Sequence, residues 1–323
     1  MRRPRLPLPA LPLALTAVLP IQAQAPGSPE VTQCLDRARP ALHTHLTKTH
    51  GDVLALCCLA ALHDGTPHHT PLLLRALDRL SRSALPGTYG AALRLMVLAE
   101  HPTAFGTDLE ARDQLLARDV KTLLRNRAAG GFTYPKRNGY WDLSNTQYAA
   151  LGLRAAASLG HPVPTEVWLR LCEVVAAAQT ETGGFGYTVG HRRKHAYASM
   201  TVAGIAVLQI GAQMLPKDEV VRLRLAPVLQ RAWKWMADNK LDIGDDRTPS
   251  CLYFHYGLER AAILSDRNDV GGRDWYRVGA TMLMRMQDAK SGAWRSSWEI
   301  RPGALAGPGS PVDTAFAVLF LRR

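Results

Sequence analysis

The stretch QTETGGFGY, residues 179–187, carries glycines at the density of a phosphate-binding loop. Such a loop needs a strand before it, a helix after it, and a lysine or further glycine at a fixed offset to reach the phosphates. Here the preceding VWLRLCEVVAAA sets apolar side chains at helical spacing and the following TVGHRRKHAYAS is polar, so the context excludes a phosphate site. The same stretch recurs. NRAAGGFTY begins at Asn126 and QDAKSGAW at Gln287, which places Gly130, Gly183 and Gly292 at spacings of 53 residues (130 to 183) and 109 residues (183 to 292). The second spacing is about two steps of the first, so the stretch marks a structural repeat, with one unit between that does without the glycine-aromatic turn.

Each unit reads as two helices. DVKTLLRNR, EVWLRLCEVVAAAQ, LAPVLQRAWKWMADN and RDWYRVGATMLMRMQ are apolar on one face only and predict outer helices. LSNTQYAALGLRAAASLG, YASMTVAGIAVLQIGAQM, PSCLYFHYGLERAAIL and SPVDTAFAVLFL are small or apolar nearly all round and predict inner helices buried on most sides. Two simpler pairs before residue 118 bring the total to about six helical hairpins, and the predicted fold is an all-α, α/α toroid. Ser144, Ser199, Ser250 and Ser310 stand near inner-helix starts as capping residues, Ser144 forming a capping box with Gln147. The turn glycines are expected to hold positive φ at outer-helix ends.

The first 25 residues, MRRPRLPLPALPLALTAVLPIQAQA, have an arginine-rich start, an apolar middle and a small-x-small end, the layout of a secretory signal peptide. The toroid is then expected over 26–323, in a secreted or periplasmic protein that does not span a membrane. The net charge of +12 is scattered along helices, with HRRKH at 191–195 the one dense run, read as a solvated loop; few aromatics interleave with it, which argues against nucleic acid. Five cysteines show no CxxC pairing and no histidine at zinc-finger spacing, and in an oxidising compartment Cys34 would bridge to Cys57 or Cys58.

The repeated glutamine-glycine-aromatic turn, followed by inner helices that begin DLSNT (142–146) and SPVDT (310–314), resembles the squalene-hopene cyclase and protein prenyltransferase superfamily with its QW motif. The nearest resemblance is to the functionally unassigned secreted repeat proteins of planctomycete-like bacteria. The resemblance covers residues 119–323 clearly and 30–118 only in pattern. It implies an acid that protonates an isoprenoid double bond at an inner-helix start, yet the central acid of that motif is replaced by Ser144 and Val312. It also implies a zinc site, but Pro249 stands where an aspartate would precede Cys251, leaving only His255 one turn beyond. Neither metal nor cofactor is expected.

The leading expectation is therefore a ligand-binding or protein-interaction module whose inner-helix mouth accepts an apolar or polymeric ligand or an envelope protein segment. The rival is an enzyme acting on an isoprenoid or a polysaccharide with Asp142 or Asp313 as acid; Asp245, Asp246 and Glu259 are further available acids. Tyr140, Trp141, Tyr253, His255 and Tyr256 are the expected ligand contacts, because inner-helix starts should converge on one rim. Signal cleavage would leave a mature chain beginning near Pro26. The intact mass of exported protein checks this, and a soluble cytosolic species that retains Met1 to Ala25 would overturn it.

Overall fold

The computed structural model describes residues 25–67, 69–101, 103, 105, 108–135, 139–187, 195–215, 220–248, 250–296 and 309–323. The leader expected over 1–25, apart from Ala25, and most of the HRRKH run lie outside these residues. Twelve helices run through the described chain: α1 (Pro29–Lys48), α2 (Gly51–His63), α3 (Pro71–Arg82), α4 (Thr88–Glu100), α5 (Leu109–Arg125), α6 (Leu143–Ser158), α7 (Thr165–Ala177), α8 (Ala198–Met214), α9 (Val220–Asp238), α10 (Cys251–Leu264), α11 (Trp275–Met286) and α12 (Pro311–Leu321). Two tiny antiparallel hairpins, Arg127–Ala128 with Gly131–Phe132 and Asp269–Val270 with Arg273–Asp274, sit in the connections.

The even-numbered helices form the inner ring. Each packs on the next, α2 on α4 through to α12, and α12 packs back on α2, so the chain is the α/α toroid that the hairpin pattern indicates. Burial follows the sequence pattern. In α8 every residue from Ala198 to Ile210 except Gln209 is buried, whereas α3 buries only Leu73, Ala76, Leu77 and Leu80. Ring closure is electrostatic as well as apolar: the buried Asp64 after α2 accepts from Arg39 of α1 at 2.8 Å and from Arg322 after α12 at 2.9 Å.

The glycine-aromatic turns are the joints between units. Gly130, Gly183 and Gly292 hold φ of +99°, +97° and +69°. A Cβ at Gly183 would meet the Arg231 carbonyl of the next outer helix at 2.9 Å, and one at Gly292 would run into the Arg37 carbonyl, so close approach excludes any side chain there as firmly as φ does. Beside each of these two turns a glutamine spans the gap. Gln179 donates to the carbonyls of Gly183 and Val228, both at 2.8 Å, and accepts from Arg231. Gln287 repeats this on the first helix: it donates to Gly292 and Cys34 at 2.8 Å and accepts from Arg37. The Cys34 thiol also donates to Gln287, at 3.2 Å, and all five cysteines are free thiols, which corrects the expected bridge from Cys34 to Cys57 or Cys58.

The aromatic of each turn is fixed from the inner side. The backbone N–H groups of Phe132, Phe185 and Trp294 donate to the hydroxyls of Thr146, Thr201 and Thr314 at 3.0, 3.1 and 3.2 Å. The three threonines hold the same place in the first turn of α6, α8 and α12. In α10 that place belongs to Phe254, and the α9–α10 unit is the one between the second and third turns that does without such a turn. Replacing Thr201 by valine keeps the shape and strands a buried N–H, so we expect a loss of about 1–3 kcal/mol in urea unfolding. A loss within measurement error would disprove the joint.

Candidate functional site

Because inner helices all run in one direction, their six N-termini lie on one rim, and all six contribute to the wall of a cavity of about 850 Å³. Asp52 comes from α2, Tyr89 from α4, Ser144 and Tyr148 from α6, Ser199 from α8, Tyr253 from α10 and Asp313 from α12. The turns add a further set at one repeated position, two residues after the aromatic: Tyr134, Tyr187 and Ser296. Six of the nine tyrosines of the chain line this one cavity.

The hydroxyls are organised. Ser144 Oγ lies 2.5 Å from the Tyr89 phenol oxygen and 2.7 Å from that of Tyr253, which donates onward to Gln147 Oε1 at 3.1 Å. The phenol oxygens of Tyr134 and Tyr187 stand 3.5 Å apart. Burial raises the pKa of Tyr89, Tyr187 and Tyr253, and pushes Tyr197 up to about 12. These phenols stay protonated, which suits them to hydrogen-bonding a hydroxylated ligand and unsuits them to acting as bases.

Three carboxylates face the cavity. Asp313 is 3% exposed; its Oδ2 accepts from the Ser296 backbone N–H at 2.7 Å, its Oδ1 from the Ser296 hydroxyl at 3.4 Å, and its own N–H donates to the N-cap Ser310. Asp52 lies in the first turn of α2, its carboxylate resting directly on the Cα face of Gly90 in α4. It reaches water through the mouth, yet enough protein surrounds it that desolvation raises its pKa from 3.8. Asp242, in the turn after α9, is raised for the same reason, with Asp245 adding repulsion and the Thr248 hydroxyl opposing the shift.

The expected residues distribute unevenly. Asp313 and Tyr253 line the cavity. Asp142 is 4% exposed and caps α6, accepting from the backbone N–H of Asn145 and its side-chain amide, both at 2.8 Å; its charge acts on Tyr187, Tyr197 and Tyr253 from behind the wall. Asp142 thus takes the capping position expected of Ser144, which serves the phenols instead. Trp141 is buried against Gly131, and Tyr140 is 64% exposed away from the lining. Tyr256 is buried, stacked on Phe316 at 5.1 Å. His255 is fully engaged: Nδ1–H donates to the Cys251 carbonyl at 2.7 Å, Nε2 accepts from the Gly244 N–H at 3.1 Å, and burial lowers its pKa to about 4. Its ring therefore has no nitrogen to offer a ligand or a metal shared with Cys251.

Of the other acids, Asp245 is paired with Arg247 in the loop outside the lining, Asp246 is exposed, and Glu259 is buried beside Arg260 in the C-terminal half of α10. Asp52 and Asp242 escaped the sequence reading. The signal for Asp52 was its place at the start of an inner helix in GDVLAL. The signal for Tyr134 and Tyr187 was their shared offset in GGFTY and GGFGY.

No protein-family model matches the chain, and no curated protein matches it. Its fold is similar to the crystal structure of a possible member of GH105 family from Salmonella enterica subsp. enterica serovar Paratyphi A, with a TM-score of 0.59 and 14% identity over 90% of this chain and 92% of that one. This shows the α/α toroid and corrects the resemblance to the squalene-hopene cyclase and prenyltransferase superfamily. The turns and threonines that carried that resemblance are joints of the ring, as their hydrogen bonds show. No helix among the described residues is long and apolar enough to cross a membrane.

The raised pKa of Asp52 has a stability consequence. The native state holds this proton to higher pH than the unfolded chain does, so its contribution falls as pH rises from 3.8 through the raised value and is unfavourable at neutral pH. Asp52→Asn is therefore expected to melt higher than the parent at neutral pH, with the difference shrinking as the pH approaches 3.8. A Tm difference independent of pH would refute the assignment.

Proposed function

We propose that the rim cavity cleaves a glycosidic bond by acid–base chemistry on a polysaccharide or oligosaccharide. One observation carries this: a single cavity of saccharide size holds two carboxyl groups in opposed environments among protonated phenols. Asp52, desolvated and without a charged partner among the described residues, is suited to hold a proton. Asp313, which accepts from the Ser296 N–H and hydroxyl, is suited to stay charged. Hydrolysis of an acetal needs this division: one group donates a proton to the leaving oxygen as its bond to the anomeric carbon breaks, and the other takes a proton from the attacking water or stabilises the cationic ring. The phenols, held protonated by burial, bind sugar hydroxyls and disfavour elimination that relies on a tyrosinate base. The likeness to a possible GH105 member supports the reading at the level of fold, since GH denotes glycoside hydrolases.

A protein-interaction scaffold needs no such chamber, so a cavity of this size suits a ligand-taking site better. The protein is offered a panel of neutral, acidic and amino-substituted oligosaccharides, and released reducing ends are measured. Asp313→Asn and Asp52→Asn are each expected to lower turnover by about 10²–10⁴-fold while retaining most binding. Unchanged turnover in both variants, or no binding of any saccharide, would overturn the proposal.

A further inference from the structure

We infer that the saccharide this cavity takes carries a protonated amine, as in an oligomer of amino sugars, and that Asp242 receives the ammonium. The inference rests on the glycan-cleaving reading of the site. Among the described lining residues there is no lysine, arginine or histidine, while Asp242 and Asp313 bring negative charge beside the proton-holding Asp52. A uronate would therefore meet like charge, whereas an ammonium is drawn in.

Asp242 is the carboxylate placed to receive it. Asp313 is held by Ser296 and Asp52 is set against Gly90, but Asp242 stands on the turn Lys240–Asp242, where among the described residues its side chain has only the Thr248 hydroxyl at 3.5 Å. The cations nearest in sequence are engaged elsewhere: Lys240 donates to the Gly271 carbonyl at 3.2 Å, and Arg247 is committed to Asp245 at 3.0 Å through both ends of its fork. Asp242 thus has no counter-ion among the described residues, and burial, with Asp245 adding repulsion, raises its pKa.

A metal ion fits less well. Among the described residues no three histidine, cysteine, aspartate or glutamate side chains come together to hold one. A pyranose with one amine needs one carboxylate at a time, and its hydroxyls find Tyr134, Tyr187 and the Ser144-linked phenols. Tyrosine rings add attraction for a cation through their π faces.

Isothermal titration of the full chain with glucosamine oligomers, their N-acetylated counterparts and oligogalacturonates, at a pH where the amine is protonated, tests this. The amine form is expected to bind about tenfold to hundredfold more tightly than the acetylated form, the value of one charge-assisted hydrogen bond. Asp242→Asn should bring that ratio close to one, and Asp242→Glu should restore part of it, which separates a lost charge from a damaged fold. Equal binding of amine and acetyl forms, tighter binding of oligogalacturonate, or spermidine binding as strongly as the amino sugar would each overturn the inference. If uncharged oligosaccharides are bound and cleaved without preference for the amine, the inference fails alone. If no oligosaccharide binds, the glycan reading falls with it.

Discussion

A backbone N–H that must be satisfied in the dry seam between two rings of helices governs this architecture. Where an outer helix ends, the chain turns inward through a left-handed glycine and plants an aromatic ring between units. That step buries the aromatic residue's own N–H, and a buried donor without an acceptor costs more than the net gain of a bond made. Thr146, Thr201 and Thr314 supply the acceptors from the first turns of α6, α8 and α12, so the start of each of these three inner helices is registered against the end of the outer helix before it. Gln179 and Gln287 then register the same turn against the next outer helix. Gln287 reaches α1, so the last joint of the ring is made with the same chemistry as an internal one, and closure needs no separate device beyond the Asp64 ion pairs.

Fixing that register fixes the site. Once every inner helix starts at the same height, six N-termini share a rim, and the residues of their first turns face one another across it. First turns favour short polar side chains for capping, and residues two beyond each turn aromatic are carried to the same rim. Polar groups thus accumulate at one end of an otherwise apolar ring. Gly90 shows how closely this is fitted: any side chain there would displace the Asp52 carboxylate, so a gap in α4 is what lets α2 present its acid to the cavity.

The fold was legible because repeat spacing and one-sided apolar faces survive in the sequence as simple periodicities. Gly130, Gly183 and Gly292 could be read as turn glycines because positive φ restricts residue type, and the conformations agree. The site was legible only in part. Asp313 and Tyr253 were found from their places at inner-helix starts and do line the cavity, but the same rule also picked His255 and Tyr256, which are buried in the core. Two residues along a helix turn a side chain to the far face and three carry it nearly a turn deeper, and periodicity without coordinates resolves neither. Asp52 was overlooked because its helix lies in the less decorated first hairpins, where no motif drew attention. The cyclase resemblance misled for a related reason: a threonine that anchors a turn and an aspartate that begins a helix together imitate a catalytic motif.

The two ends of the inner ring face different electrostatic problems. At the C-terminal end, charge is consumed internally: Asp64 is shared by Arg39 and Arg322, Glu100 pairs with His63 at 3.1 Å, and Glu259 lies 2.8 Å from Arg260. Those acids and bases neutralise one another within the wall. At the N-terminal end, Asp52 and Asp242 have no lysine, arginine or histidine to pair with among the described lining residues, and Asp142 and Ser310 cap only α6 and α12. Uncompensated carboxylates held by a rigid ring are a standing cost to stability, and a bound ligand that brings the missing proton donors or positive charge relieves it. A ligand of the proposed kind would be drawn to this rim in part by that penalty.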